Sequence, residues 1–149
     1  MQVNQTHSPV EPLTLAEANG ILHAALAAAR AANMPPVAVV VLDAAGHLVA
    51  LQREDGASML RTDIALGKAW AAAGMGVSGS VLHGRAQGNP AFFNALAATG
   101  HGKFIPQAGS VPAVRGGVVI GAVGASGGKG EDDEAICAAG VLAAGLATA

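Results

Sequence analysis

The sequence predicts an α+β fold: a single-layer antiparallel sheet of two hairpins, flanked by helices and packed by the N- and C-terminal ones. Three observations carry this prediction. The segments run in the order helix, hairpin, helices, hairpin, helix. The two strand-to-strand connections, Asp43-Ala44-Ala45-Gly46 and Gly116-Gly117, are short enough only for antiparallel pairing. No strand–helix–strand unit of a parallel sheet can be read between them.

Each element has its own local reason. Residues 1–12 are polar and proline-bearing, which predicts a flexible tail ahead of a single domain over 13–149. Thr14-Leu15-Ala16-Glu17 has capping-box spacing, so a helix starts there. It runs to about Asn33 with Leu15, Ala18, Leu22, Ala25, Leu26 and Ala29 on one stripe. Pro35-Pro36 ends it, since neither proline carries an N–H. Val37–Leu42 is a β-branched run and reads as a buried strand. His47–Arg53 is its partner, and Glu54-Asp55-Gly56 closes the pair. A helix from about Ser58 to Ala73 carries Leu60, Ile64, Ala65, Leu66 and Ala69, and Gly74-Met75-Gly76 stops it. Short helical pieces follow at Ser80–Arg85 and Pro90–Ala98, the second with proline in its first turn.

Gly109–Gly140 is the most informative stretch. Val118-Val119-Ile120 and Val123 form a strand after the Gly116-Gly117 turn. Gly127-Gly128-Lys129-Gly130 breaks it, and Glu131-Asp132-Asp133-Glu134 opens the last helix, about Asp132–Leu146. Acidic residues there offset the positive end of the helix dipole. So much glycine at a strand end leaves backbone N–H groups where a ligand can approach main chain.

Composition narrows the function classes. At 149 residues, one domain with a substantial core is expected. Hydrophobic residues make up 52% and charged ones 12%, so apolar surface is expected to be buried against copies of the same chain, as a homo-oligomer. A net charge of -2 with no basic run gives nucleic acid no footing, and 3% aromatics with no Tyr supply no stacking platform. The single Cys137 excludes an intrachain disulfide and a cysteine zinc cluster, and its apolar neighbours mark a core hydrophobe rather than a nucleophile. No apolar run reaches the roughly 18 residues of a membrane span. The N-terminus lacks the order of a signal peptide, so a cytoplasmic protein with no membrane partner is expected.

Glycine-rich motifs fail on spacing. A phosphate loop would need glycine at Val123 and Ser or Thr at Gly130. Gly121-Ala122-Val123-Gly124 does not fit GxGxxG, and Gly76-Val77-Ser78-Gly79-Ser80 is not GxSxG. The five histidines share no metal spacing: His7 is in the tail, His47 begins a strand, and His83 and His101 are expected in glycine-rich loops. His23 stands mid-helix among alanines, either at the border of the core or beside room for a flat ligand whose iron an imidazole could take. Arg53 either pairs with Asp55 or holds a ligand carboxylate through its planar fork. Lys68, a lone cation on an apolar helix, either snorkels outward or faces an anionic pocket.

The segments Val37–Asp43 with Ala44-Ala45-Gly46-His47-Leu48-Val49, Arg53-Glu54-Asp55-Gly56-Ala57, Ala65-Leu66-Gly67-Lys68-Ala69, Gly109-Ser110-Val111-Pro112 and Gly121–Gly128 with Asp133 behind it resemble the haem-binding GlcG/HbpS-like proteins. This family is also found as the C-terminal domain of PduO-type proteins. The resemblance spans about Leu13 to Leu146. The chain departs from the family pattern at Glu54, where Met is common, at Ser110, where Gly is, and at Ala71, where Thr is. The resemblance implies an antiparallel α+β fold, an oligomer, and haem or a related tetrapyrrole as ligand. Under it His23 would ligate iron, and Arg53 and Lys68 would meet the haem carboxylates. Gly124, Ser126, Gly127 and Gly128 would line the same pocket. An alternative is an enzyme acting on a small organic acid, bound by Arg53, Lys68 and Arg115, with Asp55 or Asp133 as general acid or base. Another is a non-catalytic accessory subunit.

Overall fold

Thr14 and Glu17 make the reciprocal pair their spacing predicts: Glu17 N donates to Thr14 Oγ1 at 3.1 Å, and Thr14 N to Glu17 Oε1 at 3.0 Å. They open α1 (Leu15–Ala31), which buries Ala18, Ile21, Leu22, Ala25 and Ala29. The computed structural model describes residues 9–149. His7 and residues 1–8 of the expected tail lie outside the described residues, whereas Val10 and Leu13 pack on the core.

The strands are β1 (Ala38–Asp43), β2 (Leu48–Arg53), β3 (Ser110–Arg115) and β4 (Val118–Ser126). They form one antiparallel sheet in the order β2-β1-β4-β3. The two hairpins therefore meet along β1 and β4, with Ala38 opposite Ser126 and Asp43 opposite Gly121. Residues alternate between the faces of the sheet. Val39 and Val41 of β1 and Val123 and Ala125 of β4 join the core formed with α1 and α5 (Gly130–Ala143). Val40, Leu42 and Ala122 face the other way, onto Ala65, Ala69 and Ala72 of α2 (Met59–Met75). Then α3 (Gly79–Gly88) and α4 (Pro90–Thr99) extend this layer, with Leu82, Phe93, Phe104 and Ala71 in a third cluster. Helices thus cover both faces of the single-layer sheet, which is why β1 reads as an unbroken apolar run.

Helix α2 lies very close to the sheet. A Cβ at Gly124 would overlap the Ala65 carbonyl oxygen and sit 2.9 Å from Ala69 Cβ. Small residues therefore make this contact: of the expected apolar set, Ala65 and Ala69 are buried, with Gly67, Lys68, Ala71 and Ala72, whereas Leu60 is 55% exposed. Likewise Leu15 stays exposed and Ile21 takes the inward place on α1. The helix α5 starts at Gly130 rather than Asp132, so Asp133 sits inside its first turn. Strand β2 is an edge strand that α2 scarcely covers, which leaves Leu48 and Leu51 exposed. Among the described residues, no helix is long and apolar enough to cross a membrane.

Candidate functional site

Two groups of polar residues gather at one end of the sheet. The first forms where β4 runs into α5. Asp133 is 1% exposed. Its Oδ1 accepts from Gly128 N at 2.9 Å, and its Oδ2 lies 3.4 Å from Lys68 Nζ. Lys68, 6% exposed on α2, also donates to Ala125 O at 3.1 Å. Its side chain therefore ties the α2 layer to the α5 layer around the sheet end. Gly109 makes room for it: with φ at 129°, a Cβ there would fall 2.6 Å from Lys68 Nζ. Glu134 fastens the neighbouring segments, accepting from Ser80 N at 2.9 Å, Ser80 Oγ at 2.6 Å and Gly109 N at 3.1 Å. Ser126 Oγ, buried, accepts from Arg61 at 3.3 Å. Burial first, and the negative charge of Asp133 second, push the Cys137 thiol well above its ordinary value.

A cleft of about 460 Å³ opens beside this group, lined by Lys68, His83, Gln107, Ala108, Lys129, Gly130 and Glu131. His83 stands on α3 rather than in the glycine-rich loop expected for it, and its Nδ1 is buried with no hydrogen-bond partner among the described residues. Lys129 occupies the N-cap of α5 without a side-chain cap.

The second group lies where α1 passes the end of β2. A cleft of about 580 Å³ is lined by Leu26, Arg30, Pro36, Gln52, Arg53, Glu54 and Asp55. Arg30 holds Glu54 through Nε at 2.9 Å and Nη2 at 3.1 Å, and donates also to Met34 O at 2.8 Å. Glu54 further accepts from Val37 N at 3.0 Å. The acid engaged here is thus Glu54, not the Asp55 that the local spacing suggested. Arg53 is exposed, with no ion pair among the described residues. His23 is exposed on α1, one turn before Leu26 and two before Arg30, so these three share a face. Beside it, Gly20 borders open space.

The structure brings Lys68, Asp133, Gly128 and the Gly124–Ser126 backbone together. It places Arg53 and Asp55 with α1 in the other cleft. Arg53 and Lys68 therefore do not enclose one cavity within a single chain. Arg53 and Ser126 oppose Ala38 from its two sides, so two strand spacings, about 10 Å, separate their backbones. Arg115 is engaged elsewhere, with Glu17 at 2.7 and 2.9 Å and with Glu11 O at 3.2 Å. Among the described residues, no three His, Cys, Asp or Glu side chains form a metal site. Sequence reasoning missed Arg30, Gln107, Lys129 and the placing of His83. Only the Leu82-His83 step, a histidine beside a core leucine, hinted at the last.

A family model described as haem degrading protein HbpS-like matches residues 13–142. The chain is 33% identical over 124 residues to an uncharacterised 15.0 kDa protein from the dhaT-dhaS intergenic region of Citrobacter freundii, covering 83% of this chain and 86% of that one. It is similar to the PduOC:haem complex, with a TM-score of 0.83 and 28% identity over 93% of this chain and 99% of that one. It is similar also to the Klebsiella pneumoniae protein ORFY, with a TM-score of 0.84 and 28% identity over 97% and 98% of the two chains.

Proposed function

We propose that this chain, which belongs to the HbpS-like family, binds haem or a related tetrapyrrole. A structural relative at 28% identity is a haem complex, which supports the reading. The observation that carries it is the position of His23. Its imidazole is exposed one helical turn from the mouth of the 580 Å³ cleft, with open space at Gly20 beside it.

The donor set fits the group. Iron held in a macrocycle already has four nitrogen ligands, so one imidazole suffices and no protein metal cluster is needed. Leu26 offers the apolar contact, and the guanidinium of Arg53, without an ion pair among the described residues, would hold a haem carboxylate. Bound haem would supply redox-active iron. Lys68, Gly124, Ser126, Gly127 and Gly128 serve this reading as the frame that fixes the end of β4, with Lys68 and Gly128 both bonded to Asp133 and away from the His23 cleft. The same proposal includes self-assembly. Leu51, Met59 and Leu60 are exposed, on β2 and at the start of α2, and a second copy would cover them.

Titration with hemin tests the reading. A saturable Soret shift at one haem per chain is expected, lost in His23→Ala. In Arg53→Ala affinity should fall about tenfold, the cost of one charge-assisted hydrogen bond. No Soret shift at all would end the proposal.

A further inference from the structure

The cleft between α2, α3 and the start of α5 has the parts of a second ligand site, independent of the haem reading. Lys68 is nine-tenths buried on its wall. An ammonium has three N–H donors. Two are used, on Ala125 O at 3.1 Å and Asp133 Oδ2 at 3.4 Å, which leaves one for a ligand. His83 lines the same cleft and is only partly buried. Its Nδ1 is buried without a partner among the described residues, so Nε2 is the ring nitrogen open to a ligand. At the rim, α5 has no side-chain cap, so the N–H groups of Gly130 and Glu131 remain to be satisfied.

Charge selects the ligand. Lys68, Lys129 and Glu131 line the cleft, Asp133 pairs with Lys68 behind it, and the start of α5 adds partial positive charge. The balance suits one negative charge; a dianion would meet two carboxylates. A hydroxyl fits His83 whichever ring nitrogen holds the proton, since it can donate or accept. The Gln107 residue offers a further polar contact at the rim. We propose that this cleft binds a small hydroxy-monocarboxylate, its carboxylate on Lys68 and the first amides of α5, its hydroxyl on His83.

An NMR titration of the ¹⁵N-labelled full chain with lactate, propionate and inorganic phosphate tests this. Lactate should shift the Gly130 and Glu131 amides saturably. Propionate, which lacks the hydroxyl, should bind about tenfold more weakly. His83→Phe should erase that preference and leave the hemin titration unchanged. Lys68→Met should abolish binding of both acids; if it fails to fold, His83→Phe decides. No saturable shift with lactate, equal affinity for lactate and propionate, or phosphate binding as tightly as lactate would each overturn the proposal.

Discussion

Lys68 and Asp133 are costly residues to disturb. Each is buried, and each has the other as its only ion-pair partner among the described residues. Removing one partner strands a charge, so Asp133→Ala should lower stability by about 3 kcal/mol in urea unfolding. Half of this was legible. A lone lysine on an apolar helix is visible in the sequence, but its partner lies 65 positions away and no spacing rule joins them. The burial of Cys137 was readable from its alanine and isoleucine neighbours. Its raised thiol has a consequence with a definite sign. Above the ordinary thiol value, about 8.5, the unfolded chain loses its proton more readily than the folded one. Stability is therefore full below that pH and falls as pH rises towards the folded value. In Cys137→Ala, the alkaline fall in urea midpoint should be smaller. Glu17 acts at the other end of the scale. The Arg115 guanidinium first, and the Thr14 amide second, hold its carboxyl below the ordinary 4.5. That contribution is present above 4.5 and is lost as pH falls through the folded value. Glu17→Gln should flatten the acid side of the same curve.

Elements whose causes are local were legible almost to the residue. The capping box set the start of α1, proline the start of α4, and Gly116-Gly117 the last turn. The layering was not. Strand order depends on β1 meeting β4, a pairing between distant parts of the chain, and that pairing decides which faces α2 and β2 present. Leu60 is one of the apolar residues the sequence sets on α2, yet it stays exposed, because the α2 contact with β4 admits only small side chains. Gly124→Val should push α2 off the sheet and cost roughly 1–3 kcal/mol, read as a lower thermal midpoint.

For the whole molecule, the low charge content pointed to assembly, and in the proposed self-assembly the exposed Leu51, Met59 and Leu60 are the residues a copy would cover. Sedimentation should show an oligomer, and Leu60→Glu should shift it towards monomer at equal concentration. The family was readable from ordered short segments along nearly the entire chain. The separation of Arg53 from Lys68 was not, because β2 is an edge strand only once the sheet is assembled. Haem at His23 can be located directly. Crystals soaked in hemin and measured at the iron absorption edge should give an anomalous peak within coordination distance of the His23 imidazole. A peak in the cleft of Lys68 and His83, or none at His23 in crystals that have taken up colour, would contradict it.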